Sequence, residues 1–208
     1  MNETRQPNSP RSDPSCVHRN ARTACNADLC RQAARMHEAV DLVELGGRAG
    51  LVSRITGIEK KAVKRLCRQL RGTPSPPGQA PFSDAWFLEN DLRMLHATIV
   101  WRLHKQLTRT GRGKARVLID VYTSYLRLVH RPIVDLTHAA FVPSLLTMSI
   151  WEERACDYCN GPYLAPVVSN DNECPGCRLY HRHRCRLCGG SISAQRRGRR
   201  RHTCERCK

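Results

Sequence analysis

Eight of the twelve cysteines fall in four Cys-x2-Cys pairs. Cys156 and Cys159 are followed, fourteen residues on, by Cys174 and Cys177; Cys185 and Cys188 are followed, fifteen residues on, by Cys204 and Cys207. The first halves of the two units share their wording, CDYCNG at 156–161 and CRLCGG at 185–190. A Cys-x2-Cys turn aims two sulfurs at one point, and a second pair completes a tetrahedral shell around Zn²⁺. Four thiolates leave no position for water, so such a metal is structural rather than hydrolytic. It stands in for a hydrophobic core that so short a segment cannot build. An iron–sulfur cluster could use the same thiolates, but nothing nearby suggests electron transfer. Pairing within each repeat is the default, and a cross-braced arrangement, with the first and third pairs sharing one ion, stays open. His181, His183 and His202 flank the second unit and could substitute for a cysteine.

The setting of these thiols is strongly basic. The chain has 208 residues with 35 Lys and Arg against 18 Asp and Glu, a formal +17. Two zinc–tetrathiolate centres of net −2 each would lower that to about +13. A chain of this size and charge expects a polyanion, nucleic acid before an anionic membrane surface. No apolar stretch is long enough to span a bilayer: the longest, 139–151, also contains Pro143. The start of the chain has no apolar signal-peptide region, so a reducing, cytoplasmic setting is expected. There, paired Cys-x2-Cys motifs read as metal ligands rather than disulfides. Of the formal charge, +10 lies in residues 178–208, where Glu205 is the one acid. Arg196, Arg197, Arg199, Arg200 and Arg201 sit between the two cysteine pairs of the second unit. Zinc would hold both ends of that loop, and such a cluster suits phosphates or a narrow minor groove.

The elements that position these groups read as mainly helical. Residues 1–31 are polar, with Pro7, Pro10 and Pro14, and read as a disordered N-terminal extension. Its Cys16, Cys25 and Cys30, with His18, match no metal template and read as incidental thiols. A helical domain is expected over 32–151, a first four-cysteine zinc unit over 152–178 and a second over 179–208. Val40, Leu42, Val43 and Leu45 mark one helix, interrupted at Gly46-Gly47. Residues 48–70 carry a helix-turn-helix-like pattern: Leu51, Val52 and Ile55, a turn at Thr56-Gly57, then Ile58, Val63, Leu66, Cys67 and Leu70 on a buried face. Lys60, Lys61, Lys64, Arg65 and Arg68 fall on the exposed face of the second helix, as DNA contact requires. A solvated basic helix in a bundle has the same pattern.

Residues 72–81 are rich in Pro and Gly and break the helix. A long helix is expected over 85–109, capped by Ser83 or Asp84, with Trp86, Leu88, Leu92, Leu95, Ile99, Leu103 and Leu107 as a one-sided stripe. Another follows over 114–129, and a last over 133–151, kinked or split at Pro143. The cysteine region then begins without a linker, which predicts that the first unit packs on the helical body. His96, His104, His130 and His138 read as polar helix residues rather than ligands.

The run LRGTPSPPGQAPFSDAWF at 70–87 closely resembles a signature of the FlhC family of flagellar transcriptional activator subunits. The similarity extends back through LVELGGRAGLVSRITGIEKKAVKRLCRQ at 42–69 and forward to CDYCNG…CPGC, covering residues 39–177. The resemblance implies a mostly helical protein with one zinc held by Cys156, Cys159, Cys174 and Cys177. It implies assembly with a small helical FlhD-like subunit, binding and bending of promoter DNA, and activation of RNA polymerase at flagellar operons. Residues 1–31 and 179–208 fall outside the resemblance, so the second four-cysteine unit is expected to be an addition.

Two other classes compete. A basic Cys-x2-Cys tail also suits a zinc-ribbon RNA-binding or ribosome-associated protein. An enzyme is disfavoured: there are no paired carboxylates, Ser-His-Asp set or phosphate-cradling glycine loop, and no small-molecule substrate is expected. Oxidation that expels zinc would make a redox switch.

Overall fold

The computed structural model describes residues 26–78, 80–192 and 202–208. Cys16, Cys25, His18 and the arginines from Arg196 to Arg201 lie outside them. The architecture is mainly α, with a two-stranded sheet and two clusters of four cysteines at the C-terminal end. No described helix is long and apolar enough to cross a membrane.

Helix α1 (Ala27–Glu44) begins inside the segment expected to be disordered. Asn26 caps it, its side chain accepting from the N–H groups of Asp28 and Leu29, and Asp28 sits in the first turn where the helix dipole favours an anion. That polar cap is the start signal, and it precedes the apolar face by more than two turns. Gly46 turns the chain at φ +90, and Gly47 packs so closely that a Cβ there would stand 2.5 Å from the Leu42 carbonyl oxygen. Helix α2 (Ala49–Thr56) ends at left-handed Gly57, and α3 (Lys60–Arg71) ends at left-handed Gly72. Leu42, Val43, Val52, Val63 and Cys67 are buried where α1, α2 and α3 meet. Leu70 is exposed instead, in the last turn of α3.

The long helix expected over 85–109 is broken. A single turn, α4 (Ala85–Leu88), is followed by α5 (Asp91–Thr108). Asn90 sits extended at φ −158 and caps α5 through the N–H of Arg93. Its side chain competes with the backbone for helix continuation and wins. The buried residues of α5 are Met94, His96, Ala97, Thr98 and Val100, while Leu88 and Leu92 are exposed. A one-sided stripe fails here because α5 is central, packed against α4, α6 (Lys114–Leu128), α7 (Leu136–Thr147), β2 (Pro162–Pro166) and α8 (Pro175–Tyr180). Helix α7 carries Pro143 inside it without splitting and stops at Thr147. Ser149 then turns the chain at φ +55, so Trp151 opens strand β1 (Trp151–Ala155) rather than closing a helix.

The histidines serve the helices. Tyr125 accepts from the N–H groups of Ile133 and Val134, which leaves its hydroxyl to donate to Nδ1 of buried His96 at 2.6 Å. Burial correspondingly holds the His96 pKa down. His138 is tied to the α7 N-cap Asp135 and stacks on Trp86 at 4.0 Å. His104 lies nearly parallel to Trp101.

Candidate metal centres and the basic helix

Each four-cysteine unit is built on the same backbone turn. In the first, Cys156 N–H donates to the Gly161 carbonyl at 3.1 Å and Asn160 N–H to the Cys156 carbonyl at 2.8 Å. In the second, Cys185 N–H donates to Gly190 at 2.7 Å and Gly189 N–H to Cys185 at 2.9 Å. Asn160 and Gly189 occupy the same place and both take positive φ, +53 and +70. Asn and Gly are the residue types that tolerate that region. A Cβ on Gly161 or Gly190 would stand 3.3 Å from the sulfur of Cys159 or Cys188, so the repeated glycine lets the chain turn close around its thiol.

These turns bring the pairs together within repeats, not across them. Cys156, Cys159, Cys174 and Cys177 form one cluster and Cys185, Cys188, Cys204 and Cys207 another, with the sulfurs of each within 4.8 Å of one another. The cross-braced alternative is thereby set aside. Cys159 and Cys174 sulfurs are 3.8 Å apart, and those of Cys188 and Cys204 are 3.6 Å apart. Tetrahedral Zn–S bonds of about 2.3 Å place sulfurs about 3.8 Å apart, so both clusters fit a zinc-sized ion. His181, His183 and His202 join neither cluster among the described residues.

The electrostatics suit a dication. Cys174 N–H donates to the Cys156 sulfur at 3.2 Å, and Cys204 N–H to the Cys185 sulfur at 3.3 Å. Burial opposes the Cys156 thiolate, yet the backbone N–H groups of Cys174, Cys159 and Tyr158 bring its pKa down to about 6. Those of Cys188 and Cys204 bring Cys185 to about 6. The last thiol of each unit is pushed the other way. Cys177 is raised by burial and by its cysteine neighbours, and Cys207 goes to about 12 beside Cys188 and Cys204. Four thiolates so close cannot all ionise unless a cation shares their charge.

The first unit is joined to the helical body as its missing linker predicts. Strands β1 and β2 pair antiparallel, Trp151 opposite Pro166 through Ala155 opposite Pro162. Buried Thr98 of α5 accepts from Leu164 N–H at 3.2 Å. Trp101 and Lys105 both reach Glu153, which they hold below the usual carboxylate range. Arg178 pairs with Asp91 at 2.7 Å, and Trp151 Nε1 donates to Asp84 at 2.8 Å. Helix α8 ends at Tyr180, and the second unit follows it directly. It docks on the first through Arg186, a contact that spacing could not foresee. The Arg186 guanidinium pairs with Glu173, donates to the Tyr158 hydroxyl and lies 4.5 Å from the Tyr158 ring centroid.

The basic helix is presented as the sequence suggests, but its cations divide. Lys60, Lys61, Lys64, Arg65 and Arg68 are all exposed on α3. Lys60 and Lys64 border a groove shared with α2, whereas Arg65 borders an apolar groove shared with α1, lined by Met36, Ile58 and Leu66.

Comparison with known proteins supplies the context. The family model described as "Flagellar transcriptional activator (FlhC)" matches residues 25–200. The flagellar transcriptional regulator FlhC of Enterobacter cloacae is 26% identical over 157 residues, 72% of this chain and 82% of that protein. That of Proteus mirabilis is 25% identical over 142 residues, 65% of this chain and 73% of the relative. That of Paraburkholderia atlantica is 26% identical over 141 residues, 64% of each. The matched stretch reaches past residues 39–177 in both directions. It takes in α1, Cys185 and Cys188, so the expectation that residues 1–31 and 179–208 fall outside the family is corrected for residues 25–31 and 179–200. Of the eight paired cysteines, Cys204 and Cys207 fall beyond it. The chain therefore belongs to the FlhC family of flagellar transcriptional activators.

Proposed function

We propose that this chain is the DNA-contacting, zinc-bearing subunit of a cytoplasmic hetero-oligomer with an FlhD-like partner. The complex binds promoter duplexes, and the bound complex engages RNA polymerase at flagellar operons. Each four-cysteine cluster holds one structural Zn²⁺, and the chain is a regulator rather than an enzyme. The observation that carries this is the α2–Gly57–α3 pair, which puts five cations on the open side of a helix after a tight turn, in an activator family. Cations on such a helix meet phosphates and guanine edges. The arginines Arg196, Arg197, Arg199, Arg200 and Arg201 belong to the same reading as a second, backbone-directed contact.

Gel-shift titration of the full chain, with and without an FlhD-like subunit, tests this on a flagellar promoter duplex, random duplex and RNA. The expected result is promoter-selective binding that requires the partner and weakens steeply with salt. Equal binding to all three, with or without the partner, overturns it and favours the RNA-binding reading.

A further inference from the structure

The described residues of the proline-glycine run at 73–81 form no regular element, yet they are fastened to the basic helices. Ser75 Oγ accepts from Ala49 N–H at 2.8 Å and so caps α2 from outside. Gly78 takes φ +110, and a Cβ there would stand 2.7 Å from Nη1 of Arg48. The run is thus a strap laid beside α2 and α3, with a glycine where the Arg48 guanidinium needs room. Between strap and helices lies a groove of about 590 Å³. Arg48 and Arg54 come to it from the start and the last turn of α2, and Lys60 and Lys64 from α3, one turn apart. No acid and no aromatic ring is among its described lining residues, although Asp135 is near enough to Arg48 to be stabilised by its charge.

That lining discriminates between ligands. Small-molecule sites are mostly apolar and aromatic with a few polar groups; this one has no ring in its described lining, and its charged groups are all cations. A row of cations flanking an exposed basic helix matches a row of phosphates. Phosphate contacts set the register of a protein on DNA without reading sequence. We propose that the strap groove is a sugar-phosphate backbone site for duplex DNA, in which Arg48, Arg54, Lys60 and Lys64 hold one strand at the flank of α3. This rests on the DNA-binding reading above. It adds a division of labour: the groove edge of α3 positions the duplex, and the cations facing away from it are left to meet bases.

Fluorescence anisotropy across a salt series tests this with the full chain and its FlhD-like partner, on promoter and random duplexes. R54Q/K64Q should make the slope of log K against log salt shallower by about 2, at about 0.9 for each phosphate no longer neutralised. The fold-loss in affinity should be the same on both duplexes. Gly78→Ala, which changes no charge, should make the slope shallower by about 1 by displacing Arg48. If circular dichroism shows Gly78→Ala misfolded, R54Q/K64Q alone decides. R127Q/R131Q, at exposed cations outside the groove lining, should keep the parent slope. An unchanged slope for R54Q/K64Q, an equal loss in R127Q/R131Q, or a loss confined to the promoter duplex overturns the groove while leaving DNA binding intact. Failure of the parent complex to bind any duplex overturns the DNA-binding reading and the groove with it.

Discussion

Cys156 and Cys185 begin the same turn and are both buried, at 2% and 0% exposure. Around Cys156, however, the protein continues: Tyr163 and Ala165 of β2 pack with Cys174 into a small core, and Leu164, Thr98 and Glu153 tie that core to α5. Around Cys185 it does not. The described residues of the second unit have an isolated bridge, Arg184 to Ser191, two single-turn helices at 181–183 and 205–207, and the Arg186 contact. One local geometry is therefore used twice, once as part of a domain core and once as a small module docked on it. With both clusters loaded as proposed, metal and apolar burial would cooperate in the first unit; in the second, the metal would stand nearly alone, as in small zinc modules whose binding energy is their folding energy.

The largest effect that could break this contrast comes from the ligands. Cys174→Ser should lower zinc content from two ions to one and destabilise the whole chain by several kcal/mol. At about 2–4 °C per kcal/mol for a chain of this size, the main thermal transition should fall by on the order of 10 °C. Cys188→Ser should also remove one ion but leave that transition within about 3 °C, because what unfolds is the module alone. Elemental analysis and calorimetry read both quantities. Equal shifts in the two variants would mean that the second unit is as much a part of the core as the first.

A smaller effect follows from Arg186. Its partner Glu173 is mostly shielded, and Glu173 Oε1, His181 Nδ1 and Arg186 Nε are buried without a hydrogen-bond partner. Arg186→Ala leaves the Glu173 carboxylate without its cation, a change that costs about 3 kcal/mol for a fully buried pair and less here. The penalty should appear as undocking, not unfolding. Two zinc ions remain bound, the main transition moves little, and amide exchange rises in residues 179–192. If exchange there is unchanged, some other contact holds the module.

The parts of this contrast that were legible are those encoded locally. Cysteine spacing and the shared CDYCNG and CRLCGG wording announce both clusters, because a Cys-x2-Cys turn needs only its own residues. Helix α3 was equally readable, since its cations and its apolar Val63 and Cys67 repeat at helical spacing. The break at Asn90 was not, because a single capping side chain overrides a run of good helix formers. Nor were the Arg186 and Glu153 contacts, which join residues 13 and 48 positions from their partners. The start of α1 was legible in principle, as Asn26 followed by Asp28 and by Leu29, Ala33 and Met36 at helical spacing, but those three are exposed and the helix buries its apolar face only from Ala39 on.

The finest test separates the metal of the first unit from its anchorage. Thr98 donates its hydroxyl to the Met94 carbonyl at 3.0 Å and accepts from Leu164 N–H, so it is a polar link between α5 and β2 in a largely apolar contact. Thr98→Val keeps the shape and removes the acceptor, leaving Leu164 N–H buried and unpaired at a cost of about 1–3 kcal/mol. No ligand is touched, so two zinc ions should still bind. If the first unit owes its standing to the helical body, that small loss should lower the main transition by about 2–12 °C and speed chelator-driven zinc release from the Cys156 site. Release from the Cys185 site should keep its parent rate, since Arg186 docks that unit through Glu173 and Tyr158 rather than through α5. Faster release from both sites would mean that strain in β2 passes through α8 into the second turn, and that the two units behave as one body.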